Sequence, residues 1–379
     1  MRKLDCTLPM KRCLALVMLL ASTALSQTLR TSPILSPEVL PDHRVTFRVS
    51  APKASEVGLF GDWMAPNTLQ PMTRDDHGVW SITVGPLPPG LTIYTFTVDG
   101  VTTPDPVNPR IKLRARTSAS MVDVPGNPPE LWQARDVPHG AVEINWARST
   151  VTGDTRAYYV YTPPGYNPGR SRRYPVLCLL HGSNDTAAGW TDVGKANFIL
   201  DNLLAEKRAV PMIIVMPWGH AVPFDGPQTN NAALVERYLL EEVLPQVERK
   251  YRTATGRENR AIVGLSMGGG QALQIGLGHL DRFSAVGAFS SAVPGDFANR
   301  FKVLLDDPKH TNAKLKLLWI GCGRGDGAFD RNQQLSELLA SHQIRHTFHP
   351  SDGVHNFAIW RSFLAEVAPM LFQKEAKKP

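Results

Sequence analysis

The stretch Arg260-Ala261-Ile262-Val263-Gly264-Leu265-Ser266-Met267-Gly268-Gly269-Gly270-Gln271 restricts this chain more than any other. Its apolar half suits a buried strand, and its glycine-rich half opens a helix. Between them the backbone must turn sharply, and Gly264 and Gly268 leave the flanking positions without side chains so that it can. Ser266 stands at the bend. This is the G-x-S-x-G elbow, which lifts a serine Oγ clear of the sheet. A serine hydroxyl is a weak nucleophile. The reading therefore demands a histidine to take the proton, a carboxylate to orient that histidine, and backbone donors for an oxyanion.

From residue 157 onward the pattern alternates strand and helix after a leading hairpin. Apolar strands fall at 174–180, 212–216, 261–265, 285–289, 315–320 and 344–348, with apolar-faced helical segments between them. Such alternation predicts an α/β domain with a mainly parallel sheet covered on both faces, and its site at the carboxyl ends of the strands. The loops after the strands are the places to search.

The first such loop is His181-Gly182-Ser183-Asn184-Asp185. Gly182 or Ser183 supplies one oxyanion donor there, and Met267, following the serine, supplies the other. His181 reads as a structural residue, since it precedes the serine whereas this fold runs serine, acid, histidine. Asp326 is the first carboxylate after the fifth strand, on a glycine-rich turn; Asp330 lies where it would open the next helix. Of eleven histidines, His355 alone follows both serine and acid and lies beyond the last strand before a helix. Nearby Asp352 suits a local turn. Ser266, Asp326 and His355 thus form the expected catalytic set. No histidine or cysteine spacing suggests a metal, and no cofactor is expected.

Residues 1–26 read as a signal peptide: basic residues to Arg12, an apolar stretch from Leu14 to Leu20, then small residues ending at Ser26. That stretch is too short for a comfortable membrane span, so the expectation is a secreted or periplasmic protein with no membrane association after cleavage. The leader carries +3 of the formal +7 charge, leaving +4, too little and too scattered for nucleic-acid binding. It also removes Cys6 and Cys13. The remaining Cys178 and Cys322 fall on strands too far apart to bridge and are expected as buried thiols.

Residues 27–125 read as all-β. Val45, Phe47 and Val49 alternate with polar residues, further short strands follow, and Asp99-Gly100 makes a hairpin turn. The proline cluster at 125–129 marks the boundary to the second domain, 126–379. The phrases Gly61-Asp62-Trp63, Gly78-Val79-Trp80 and Val98-Asp99-Gly100 resemble the immunoglobulin-like module of glycogen-branching and isoamylase-type enzymes. The resemblance implies a sandwich that binds carbohydrate, with Trp63 stacking on a sugar. The alternative is that Trp63 packs on the neighbouring domain or covers the site, while Trp80 and Phe96 are core.

The second domain resembles carbohydrate esterase family 1, the esterase-D-like group with feruloyl and acetylxylan esterases. Tyr161-Thr162-Pro163-Pro164-Gly165-Tyr166, Leu179-Leu180-His181-Gly182, Gly264-Leu265-Ser266-Met267-Gly268-Gly269 and Trp319-Ile320-Gly321-Cys322-Gly323 carry the match. The resemblance implies an α/β-hydrolase fold and an acyl-enzyme esterase, with nucleophile, acid and base falling on Ser266, Asp326 and His355. Many relatives have an aromatic residue close behind the base, where this chain has Asn356-Phe357, and Trp218 replaces a smaller polar residue. Trp218 and the loop beginning at His220 are expected to wall the substrate pocket. The implied substrate is a feruloyl or acetyl ester on plant polysaccharide, or a small aryl ester. A siderophore esterase, an acyltransferase and a carbohydrate-binding protein on an inactive scaffold are the competing expectations.

Overall fold

The structure, a computed structural model, describes residues 34–65, 67–114, 117–223 and 229–373. The expected signal peptide lies outside the described residues. The front of the chain forms two antiparallel sheets. One orders Glu38–Val39, Val45–Ser50, Val79–Val84 and Thr73–Arg74; the other orders Gln70–Pro71, Val57–Gly61, Gly90–Val98, Ala119–Val124 and Ile111–Lys112, with Val101–Thr103 paired to Gly90–Val98. Inward positions of both sheets meet in one core of Val45, Phe47, Leu59, Trp80, Tyr94 and Phe96. The alternation read from Val45, Phe47 and Val49 is the burial of one sheet face.

The larger sheet has eight strands. A hairpin, Ala141–Arg148 and Thr155–Thr162, edges it, followed in spatial order by Ile213–Met216, Val176–Leu180, Arg260–Leu265, Ala285–Phe289, Leu317–Gly323 and Thr347–Ser351. Beyond the hairpin every pairing is parallel. Strands buried throughout, such as Val176–Leu180 and Ala285–Phe289, explain why their sequences are unbroken apolar runs. Cys178 and Cys322 are free and buried, with two strands between their own. Among the described residues no helix is long and apolar enough to cross a membrane.

Most strand limits shift by one to three residues from the sequence expectation, and those of the last two strands matter to the site. The last strand occupies Thr347–Ser351 rather than 344–348, because Gln343 turns left-handed at φ 57° and the Ile344 N–H closes back on the Leu339 carbonyl. Its neighbour runs on to Gly323 rather than ending at residue 320. Pairing therefore continues to Gly323 opposite Ser351, and beyond it Arg324 N–H donates to Ser351 O and Gly325 N–H to Gly353 O. The two loops that follow are held side by side.

The sandwich is not strung on a linker. Leu91, Ile93, Ala119 and Met121 on the outer face of its second sheet share a core with Trp190, Phe357, Trp360 and Phe363 of the larger domain. The helix Phe357–Val367 lies against both.

Candidate active site

Ser266 occupies the bend between the strand Arg260–Leu265 and the helix Met267–Gly278 with φ 52° and ψ −117°, a conformation costly for any side-chain-bearing residue, about 1–3 kcal/mol. Surrounding bonds impose it. Its N–H donates to Phe289 O at 2.8 Å, and its carbonyl accepts from Gly270 and Ala292. The flanking glycines have separate steric reasons. A Cβ on Gly264 would lie 2.1 Å from the Gly268 carbonyl oxygen, and one on Gly268 would lie 2.4 Å from the His181 carbonyl oxygen. The second contact is what lets the helix start against the loop after Val176–Leu180.

Ser266, His355 and Asp326 form one hydrogen-bonded line. The Ser266 hydroxyl donates to His355 Nε2 at 2.9 Å, and His355 Nδ1–H donates to Asp326 Oδ2 at 2.8 Å and Oδ1 at 3.0 Å. Asp326 Oδ1 also accepts from the Ala328 N–H at 2.8 Å. Burial pushes the Asp326 carboxyl up, but hydrogen bonds from His355, Ser290 and the Ala328 amide outweigh it, so its pKa lies below the ordinary value. The carboxylate stays charged. It fixes the imidazole tautomer whose Nε2 lone pair faces the serine, the arrangement a general base requires. Asp330 is exposed in the first turn of the helix Phe329–Ser341, and Asp352 is exposed in its turn.

The loop after Val176–Leu180 meets the elbow closely. A Cβ on Gly182 would come within 3.4 Å of Ser266 Cβ. Met267 opens the helix, so its N–H is not consumed by the helical ladder. His181 is buried, and burial lowers its pKa to about 4. As a neutral ring it donates from Nδ1 to Gly182 O and accepts at Nε2 from Gly219 N–H, both at 2.8 Å. It ties this loop to the segment carrying Trp218 and His220.

Two cavities of about 440 Å³ share His220, and one of them reaches Ser183 and Met267 beside the elbow. One is lined by Ser183, His220, Met267 and Gln271 and is largely apolar; the other by Arg114, Trp146, Arg156, Trp218 and His220. Trp218 and His220 thus line a cavity, and residues 224–228 of the loop that follows lie outside the described residues. Trp63 lines neither cavity. Half-buried, it stacks on Phe47 at 5.8 Å between centroids, covers Gly61 and packs against the module's own core.

Sequence reasoning missed Ser290 and Trp360. Ser290, at φ 45° just past Ala285–Phe289, takes a hydrogen bond from Trp360 Nε1 at 3.0 Å, and its hydroxyl is among the groups that lower the Asp326 pKa. The Trp360 ring stands edge-on to His355 at 4.9 Å. The signal existed: a serine at the carboxyl end of a parallel strand lies in the zone searched. It also missed Asn332, whose fully buried amide joins Ser291 to Ala328 beside the acid loop.

Comparison with known proteins gives a consistent result. The profile of the Esterase family matches residues 149–371, more than half of the chain, and that of carbohydrate-binding module 48, the isoamylase N-terminal domain, matches residues 35–112. An endo-1,4-beta-xylanase/feruloyl esterase of Xylanibacter ruminicola is 30% identical over 86% of this chain, which spans 44% of that protein's length. A ferulic acid esterase structure from Anaeromyces mucronatus is 25% identical, with a TM-score of 0.54 over 64% of this chain and 93% of its own. The enterobactin esterase of Shigella flexneri, 18% identical, shares the fold over 86% of this chain and 92% of its own, with a TM-score of 0.62.

Proposed function

Because the chain belongs to the Esterase family, we propose that it is an exported serine carboxylic ester hydrolase that removes feruloyl or acetyl groups from plant polysaccharide. The observation that carries the reading is the unbroken line from Ser266 Oγ through His355 to a buried, charged Asp326. In this mechanism His355 takes the Ser266 proton as Oγ attacks the ester carbonyl, and Asp326 stabilises the imidazolium that forms. The oxyanion rests on the Met267 N–H and on Gly182 or Ser183. His355 returns its proton to the departing alcohol, then deprotonates the water that releases the acid.

The substrate class is supported by the feruloyl esterase names among relatives and by the match of the front module to a carbohydrate-binding family. The apolar cavity beside Met267 suits an acyl group, and the tryptophan-lined cavity sharing His220 suits the alcohol side. The test is to incubate the protein lacking residues 1–26 with methyl ferulate, acetylated xylan and a catecholate siderophore. Release of ferulate or acetate, falling on the order of 10⁴–10⁶-fold in Ser266→Ala, is the expected result. Siderophore cleavage alone would replace the substrate class, and full activity in Ser266→Ala would remove the nucleophile.

A further inference from the structure

The front module touches both sides of the catalytic groove through one side chain. Lys112 lies on the short strand Ile111–Lys112 at the edge of the module's second sheet. Its Nζ sits 2.6 Å from Asp185 Oδ1, and both side chains are buried, at 8% and 6% exposure. Asp185 closes the turn that begins at Gly182, its N–H donating to the Gly182 carbonyl at 3.2 Å. A Cβ on Gly182 would lie 3.9 Å from Asp185 Oδ2, so the carboxylate sits under the loop it terminates. On the other side, Lys112 Nζ stands 4.8 Å from the centre of the Phe357 ring, two residues beyond His355.

Neighbouring contacts repeat the pattern. Asn356, next to His355, donates from Nδ2 to the Asp62 carbonyl of the module at 3.1 Å. Arg361, fully buried, donates to Leu91 O in the module and to Val193 O in the larger domain. Removing the Lys112–Asp185 pair unties the loop from the module, and a buried carboxylate left without its counter-charge must in addition be rehydrated, which here opens the loop further. Gly182 and Ser183 would move with it, whereas oxyanion donors act only within a narrow distance of the developing charge.

We propose that Lys112 is a positioning residue of the active site: through Asp185 and Phe357 it holds the loop at 181–185 in register with His355, making the front module a working part of the catalytic machinery rather than a detachable appendage. The kinetic consequence rests on the ester-hydrolase reading.

The test uses the full chain without residues 1–26, carrying Lys112→Met, Lys112→Arg, or Lys112→Met with Asp185→Asn. The double variant removes both charges while keeping shape, so it leaves no buried unpaired ion and folds. Expected for Lys112→Met and the double variant, below their unfolding temperatures, is a kcat on p-nitrophenyl acetate reduced about 10–100-fold with KM little changed. Hydrogen exchange across 181–189 should quicken, and Lys112→Arg should recover part of kcat. A structural role alone would lower the unfolding temperature and leave kcat intact. Wild-type kcat in the folded double variant overturns the proposal. If the unaltered protein cleaves no ester, the functional reading fails separately and exchange decides: faster exchange at 181–189 in the double variant sustains the positioning role, and unchanged exchange overturns it.

Discussion

The elbow at Ser266 and the bridge at Lys112 both shape one catalytic groove, yet they are specified in opposite ways. At the elbow, residues 264–268 decide the geometry among themselves and with the adjoining strand: a Cβ on Gly264 would strike the Gly268 carbonyl, so the pattern itself records the turn. At the bridge, Lys112 and Asp185 come from different domains and meet only because Leu91, Ile93, Ala119 and Met121 seal one domain onto the other. Local sterics write a motif. An interface writes an ordinary lysine and an ordinary aspartate.

The sharpest way to break the local side is Asp326→Asn. The amide keeps the shape but cannot fix the His355 tautomer that leaves Nε2 free for the serine. A fall in kcat on the order of 10⁴-fold, with folding intact, is expected from a simple aryl-ester assay. A loss below tenfold would move the acid's role elsewhere.

How far the sequence could be read follows the same division. The hydrogen-bonded line of Ser266, His355 and Asp326 is legible because each member lies just beyond a parallel strand, where this architecture puts its chemistry. The strand ends were not. Gln343 turning left-handed, and the pairing of Gly323 with Ser351 that aligns the acid and base loops, depend on contacts between segments distant along the chain. The stacking of Trp63 on Phe47 is likewise a tertiary contact that no local pattern announces.

Ser290 lies between these extremes, at the end of a legible strand yet joined to Asp326 and Trp360 by tertiary contacts. Ser290→Ala withdraws a hydroxyl that helps to lower the Asp326 pKa, while His355 and the Ala328 amide keep their hydrogen bonds to the carboxylate. The Asp326 pKa rises toward its ordinary value and the carboxylate orients His355 less firmly, so kcat/KM on an aryl ester should fall. The expected loss at neutral pH is about 3–10-fold, the cost of one charge-assisted hydrogen bond shared among several. An unchanged kcat/KM would make Ser290 a packing residue, and the site would then be almost wholly legible.

The smallest effect on turnover, and the cleanest probe of the interface, belongs to Asp62. Its carboxyl sits at the domain junction, accepting from Thr92 Oγ1, and its pKa is raised from 3.8 to about 6. Burial is the main cause, opposed by the charges of Arg361, Lys112 and Arg114 and by the Ile93 backbone. The sign is set by proton uptake. Below about pH 4 the carboxyl is neutral folded and unfolded, and costs nothing. Between about 4 and 6 the unfolded chain releases its proton while the folded chain keeps it, so stability falls as pH rises. Above about 6 the penalty is complete, about 2 kcal/mol once the residue's partial exposure is discounted. Asp62→Asn has no such dependence. Its unfolding temperature relative to the unaltered protein should therefore climb from pH 4 to pH 7 and then level off. Taking the difference between the two proteins cancels the titration of every other carboxylate. A difference constant across that range would mean that the junction solvates Asp62 well, and that the cations around it stabilise the interface without opposing a buried acid.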